Sequence, residues 1–201
     1  MLIGNAEGHM IIPRFSRRRL LVALMCGLCL PLCMAQAPQP PRTILIIRHA
    51  KKPNDGSKDL SPEGFKRAAL LPKLFLPKGV RPDLPMPQVL FASPATKHSN
   101  RPVETITLLA EALHLPIHQE IENDNYAELA HLLLSGQYAG NVVLISWHHG
   151  NIPQLAQALG ADPPYGQWPD QQFDRIWRID YVDGKATIRD LPHQLVPGDS
   201  K

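Results

Sequence analysis

The sequence predicts an α/β protein, a three-layer α/β/α sandwich with a mostly parallel central sheet. Three observations carry this. Two unbroken apolar or β-branched runs, Thr43-Ile44-Leu45-Ile46-Ile47 and Val142-Val143-Leu144-Ile145-Ser146, read as strands buried on both faces. Segments of helical periodicity separate the strand-like segments, which favours a parallel sheet covered on both sides. The chain then closes with Ile176 to Tyr181 and Lys185 to Leu191 around Asp183-Gly184, the pattern of a hairpin.

Taken in order, the first strand ends in Arg48-His49-Ala50 and a polar loop to Asp59. A helix follows with Ser61 as N-cap and Pro62 at the first helical position, running through Phe65, Ala69 and Leu70. Gln88 to Ala92 is a short strand that leads into Ser93-Pro94. Residues 101 to 114 are expected to be helical, with Ile106, Leu109 and Leu113 on one face. Ile117 to Ile121 suits a third strand, Tyr126 to Leu134 a short helix, and Gly140-Asn141 a turn. After the strand at 142–146 come a helix from Ile152 to Leu159 and a Pro-rich loop from Ala161 to Asp170. Trp168, Phe173 and Trp177 read as core or lid packing rather than a substrate platform. No internal repeat is visible.

At 201 residues, 44% apolar and 19% charged, the composition is that of one ordinary soluble domain, neither disordered nor multi-spanning. The formal charge of +3 is concentrated at the N-terminus, in Arg14, Arg17, Arg18 and Arg19. Subtracting those four from 21 basic residues, and Glu7 from 18 acidic ones, leaves 17 of each from Pro38 onward. No global field then favours nucleic acid or an anionic membrane, and an anion must be held locally.

Residues 1–37 read as a signal peptide: the basic Arg17-Arg18-Arg19, an apolar stretch from Leu20 to Met34, and small residues at Ala35-Gln36-Ala37. Ser16 to Leu21 also resembles a twin-arginine export signal. A Pro-rich spacer at 38–42, a domain at 43–195 and a tail at 196–201 complete the expected organisation. Export implies a periplasmic or secreted protein with no membrane span once the signal is removed. Cys26, Cys29 and Cys33 would all leave with it, which removes disulfides, cysteine metal sites and a cysteine nucleophile together.

In open α/β sheets, ligands sit beyond the carboxyl ends of the strands. Two buried strands end in histidine there, at Arg48-His49 and at Trp147-His148-His149-Gly150. Ser93-Pro94 leads from a third to Arg101, in the first turn of a helix. Arginine forks match phosphate oxygens, a helix start adds N–H groups, and a histidine among such charges can attack phosphorus. A second histidine can stabilise the charge that develops in the transition state.

Five pieces in order resemble the histidine phosphatase superfamily, also called the phosphoglycerate mutase-like family. They are Arg48-His49-Ala50, Leu60-Ser61-Pro62-Glu63-Gly64 with Arg67-Ala68, Ala92-Ser93-Pro94, Arg101-Pro102-Val103-Glu104-Thr105, and His148-His149-Gly150-Asn151-Ile152-Pro153. The resemblance implies an exported phosphomonoesterase with His49 as nucleophile, Arg48 and Arg101 as phosphate clamps, and His148 as second histidine, with His149 its runner-up. It implies a small phosphorylated substrate, no cofactor and no metal. Lys97 and His98 are expected to contact substrate, and Glu122, Asp124 and Glu128 are the general-acid candidates. Ala50 stands where the family more often has glycine, and Lys97 to Asn100 lengthen the usual gap before the second arginine. The alternative from another class is a non-catalytic module that binds a phosphate ligand on the same fold. A metal site on His148, His149 and His118 lacks recognisable ligand spacing.

Overall fold

The computed structural model describes residues 39–76, 81 and 83–200, together with Gly4. The expected signal peptide and its cysteines lie outside the described residues. The chain divides into two units, Met1–Ala35 and Gln36–Lys201, and the second carries every element below.

Those elements are β1 (Thr43–Arg48), α1 (Pro62–Leu70) with a 3-10 turn at Leu71–Leu74, β2 (Val89–Ala92), α2 (Arg101–Leu113), β3 (Ile117–His118), α3 (Tyr126–Leu134), β4 (Val142–Trp147), α4 (Ile152–Ala158), β5 (Arg175–Val182) and β6 (Lys185–Pro192). They form one sheet in the order β3-β2-β4-β1-β5-β6. The β3-β2, β2-β4 and β4-β1 pairs are parallel, and the closing hairpin adds β5 and β6 antiparallel. The third strand is shorter than its sequence predicts. β3 pairs only through Leu90↔Ile117 and Phe91↔His118; in that register Gln119 falls opposite Ala92, the last residue of β2, and the residues after it have no strand beside them. Ile121 is buried in the core instead.

Side chains alternate across a strand, so a run that is apolar throughout feeds two cores. Ile44 and Ile46 of β1 join Val143, Ile145 and Trp147 of β4 against Leu129 and Leu133 of α3 and Ile152 and Leu155 of α4. Leu45, Ile47 and Leu144 face the other way, onto Leu71, Leu74 and, from α2, Ile106 and Leu109. Helices therefore cover both faces. Each fully buried aliphatic side chain of this kind is worth about 1.5–3 kcal/mol.

Two local devices set the path from β1 into α1. The Ser61 hydroxyl accepts the Gly64 N–H at 3.1 Å, an N-cap worth about 1 kcal/mol. A Cβ at Gly64 would overlap the Lys51 carbonyl oxygen, which itself accepts the Ser61 N–H at 2.9 Å. Only glycine permits that approach. Among the described residues no helix is long and apolar enough to cross a membrane.

His193, just after β6, is buried, with Arg67 Nη1 at 3.4 Å from its Nδ1. Burial, reinforced by the Arg67 charge, pushes its pKa down to about 3. A histidine held neutral in the fold but free to protonate when unfolded stabilises the fold fully above about pH 6.5 and progressively less as pH falls toward 3. Between pH 6.5 and 5 this one group should remove about 2 kcal/mol. Urea midpoints at pH 7 and 5 for the parent and for His193→Gln should show the smaller drop in the variant; equal drops would assign the acid sensitivity to other groups.

Candidate active site

Register brings the two strand-end histidines together. Arg48 of β1 pairs with Trp147 of β4, and the His49 N–H donates to the Trp147 carbonyl at 3.0 Å. The next residues, His49 and His148, thus leave adjacent strands at the same level, and their ring centroids stand 5.1 Å apart in an edge-on arrangement. That separation is close to the spacing of neighbouring strands.

His49 is almost wholly buried, and its Nδ1 lies 2.7 Å from the Ala50 carbonyl oxygen. A carbonyl can only accept, so the proton sits on Nδ1 and the lone pair on Nε2. Burial, with His148, Arg48 and Arg101 adding to it, holds the ring's pKa well below the usual histidine range. His148 is pushed down to about 4 by burial, then by Arg101 and its neighbours, with Asp124 opposing. Both rings are neutral at neutral pH.

Each arginine divides its nitrogens between anchoring and opening. Arg48 Nη1 donates to the backbone carbonyls of Pro169 (3.1 Å), Asp170 (2.6 Å) and Gln172 (3.3 Å), and its guanidinium carbon lies 3.9 Å from the Phe173 ring centroid. Arg101 Nη1 donates to the Ser57 carbonyl at 3.0 Å. In both, the buried Nε has no partner among the described residues, and neither Nη2 makes a hydrogen bond within them. The free Nε and Nη2 form the guanidinium edge that matches two oxygens of an oxyanion. Ser93 Oγ, at the end of β2, is likewise buried without a partner. Unpaired polar atoms of Arg48, Ser93 and Arg101 at this edge of the sheet are donors that a bound oxyanion would satisfy.

The loop after β1 is fastened to the start of α2. Thr105 Oγ1 accepts the Ala50 N–H at 2.8 Å and donates to the Arg101 carbonyl at 2.7 Å, and Glu104 Oε2 accepts the Leu60 N–H at 2.9 Å. Asn100, the residue before α2, donates to Asp59 Oδ1 at 2.7 Å rather than capping the helix. Thr105 and Glu104 thus link His49 to Arg101, a role the motif's spacing did not announce. Ala50 does not have a left-handed backbone, so its methyl is accommodated and packs with Leu60 and Ala68.

The remaining expected residues are distributed unevenly. His149 Nε2 donates to Asp170 Oδ1 at 2.9 Å, away from the His49 ring that His148 faces. Asp124 accepts from Asn151 at 2.9 Å and acts on His148. Glu122 and Glu128 have no such link among the described residues. Lys97 and His98 are exposed in a turn closed by the Thr96 N–H and the Ser99 carbonyl at 2.9 Å, and no side-chain hydrogen bond ties either to the histidines. His118 stacks on Phe91 at 5.0 Å. No group of three or more His, Asp or Glu residues among the described ones is arranged to hold a metal ion. Trp168 and Trp177 are core residues, their rings 4.9 Å apart. Phe173 instead covers Arg48, a placement that no local pattern signals.

With this geometry in view, comparison with solved structures finds two informative matches. A candidate alpha-ribazole-5'-P phosphatase from Escherichia coli K-12 aligns over 78% of this chain and 98% of its own, with a TM-score of 0.55 and 18% identity. The protein histidine phosphatase SixA, in complex with tungstate, aligns over 75% of this chain and 97% of its own, with a TM-score of 0.50 and 17% identity. This chain shares their fold. Comparison with protein-family models and with curated proteins gives no significant match. The likeness is one of architecture, and the chemistry is read from the residues.

Proposed function

We propose that the chain is an exported phosphomonoesterase of the histidine phosphatase type, working through a phosphohistidine on His49 and without a metal. One observation carries this reading: two arginines, Arg48 buried and Arg101 half-buried, each leave a buried Nε and an Nη2 free of partners among the described residues, near a neutral histidine whose Nε2 lone pair is unengaged. Arg48 and Arg101 neutralise the phosphate oxygens. His49 Nε2 attacks phosphorus, forming a P–N bond as the ester P–O bond breaks. The departing alkoxide takes a proton, for which Asp124 is the carboxyl best placed because its charge reaches His148. Water then attacks phosphorus, giving a proton back to the Asp124 carboxylate as the P–N bond breaks, so that His49 recovers its lone pair, the acid is restored and orthophosphate leaves. His148 donates to the phosphoryl oxygens during both displacements.

The basic, apolar and small-residue order of residues 1–37 supports export. Protein recovered from the envelope should have an intact mass placing its start between Gln36 and Thr43. Assayed on an aryl phosphate, it should release phosphate at a rate that a chelator does not change. Loss of rate with chelator would indicate a metal site, and phosphate binding without turnover a non-catalytic module. Retention of Met1 or Met10 would remove the argument for export.

A further inference from the structure

Resting on the phosphatase reading, we propose that a cavity of about 870 Å³ beside Arg48, walled by α1, the loop before β5 and the end of the chain, receives the alcohol part of the ester. That part is an uncharged, flat and largely apolar group of one or two rings. Continuity with the phosphate site comes first. Phe173 lines the cavity, stacks on the Arg48 guanidinium at 3.9 Å and stands 6.2 Å from the His49 ring. Lys51, two residues after His49, lines it as well. Arg48, His49, Arg101 and His148 do not line the cavity, so Phe173 is the residue past which the organic part of an ester held by Arg48 would enter this space.

The far wall is built, not loose. Asp199 accepts from Arg67 at 2.9 and 2.5 Å and from the backbone N–H groups of Leu195 (2.8 Å) and Val196 (3.2 Å). The Ser200 N–H donates to Asp174 at 2.6 Å, and Arg175 donates to the Ser200 hydroxyl at 3.0 Å. Chain ends usually fray unless tied down. This one, read in the sequence as a tail from Val196, is tied down as the side of a cavity.

The lining states what would fill it. Phe173, Pro169, Val196 and Pro197 supply apolar faces. The charged residues balance, Lys51, Lys66 and Arg67 against Glu63, Asp174 and Asp199, and Arg67 is already paired with Asp199. The lining therefore carries no net charge to draw in a second phosphate. The volume lies within the range of pockets that enclose drug-sized ligands, and a short polyol would leave the Phe173 face wet.

The test compares 2-naphthyl phosphate with glycerol 2-phosphate on the parent, on Val196→Asp, which places a charge in the apolar wall, and on Val196→Trp, which fills the cavity. Naphthol is the better leaving group, so the change in the kcat/KM ratio decides: the ratio of the naphthyl to the glycerol ester should fall roughly tenfold in both variants. Independently, calorimetry on the parent should show 2-naphthylmethylphosphonate binding at least about tenfold more tightly than methylphosphonate. Phosphonate preference without any hydrolysis would overturn the phosphatase reading and leave the cavity assigned. Equal phosphonate affinities, or an unchanged ratio in folded variants, would overturn the cavity. A sulfonated naphthyl phosphonate that binds more tightly than the neutral one would overturn the uncharged class.

Discussion

His49→Ala should lower kcat on aryl phosphates by about 10⁴-fold or more, the scale seen when a covalent nucleophile is removed. In the parent, rapid quench with labelled substrate should trap an acid-labile phosphoryl adduct on a peptide containing His49. The expectation rests on the state of the ring as well as its position. The Nδ1 proton is committed to the Ala50 carbonyl, and burial keeps the ring unprotonated, so Nε2 holds a lone pair at neutral pH. His148, 5.1 Å away, is a second ring able to stabilise the phosphoryl group, but the carbonyl contact that commits the tautomer is made by His49. The variant should still bind phosphate through the two arginines. Turnover of a folded His49→Ala protein at the parent rate, or an adduct found on His148 in the parent, would reassign the nucleophile.

Arg101→Ala should lower kcat by about a hundredfold or more, while Lys97→Ala should mainly raise KM. Arg101 sits in the first turn of α2, with Nη1 on the Ser57 carbonyl and Nε free, and its charge acts on both histidines and on Arg48. A planar fork held this way grips two oxygens as charge develops in the transition state. Lys97 lies in the exposed turn before the helix, where a flexible ammonium can attract substrate but cannot fix its orientation. The four residues from Lys97 to Asn100 are absorbed in that turn, with Thr96 Oγ1 accepting the N–H groups of His98 and Ser99, both at 3.1 Å. Steady-state kinetics on the two variants, with folding checked by circular dichroism, decide the matter. Abolished turnover in Lys97→Ala beside near-normal turnover in Arg101→Ala would move the clamp to Lys97.

By itself the sequence determined the elements, because their signals are local. The unbroken apolar runs predict β1 and β4, Ser61-Pro62 predicts the start of α1, and Asp183-Gly184 predicts the hairpin turn. It also determined which residues stand at the ends of strands, and hence that His49, His148 and Arg101 belong to one edge of the sheet. β3 shows where locality fails: Ile117 to Ile121 has a strand's composition, yet only two residues pair, since a strand's length depends on the partner's backbone. Tertiary structure alone decided the register that levels Arg48 with Trp147 and so sets the histidines side by side. It alone committed each arginine's Nη1 to backbone carbonyls, placed Phe173 over Arg48, and turned residues 196–200 into the wall of a cavity. Those contacts join residues more than forty positions apart, often through carbonyl groups that every residue carries. Side-chain pattern cannot encode which carbonyl meets which guanidinium; only the packed chain does.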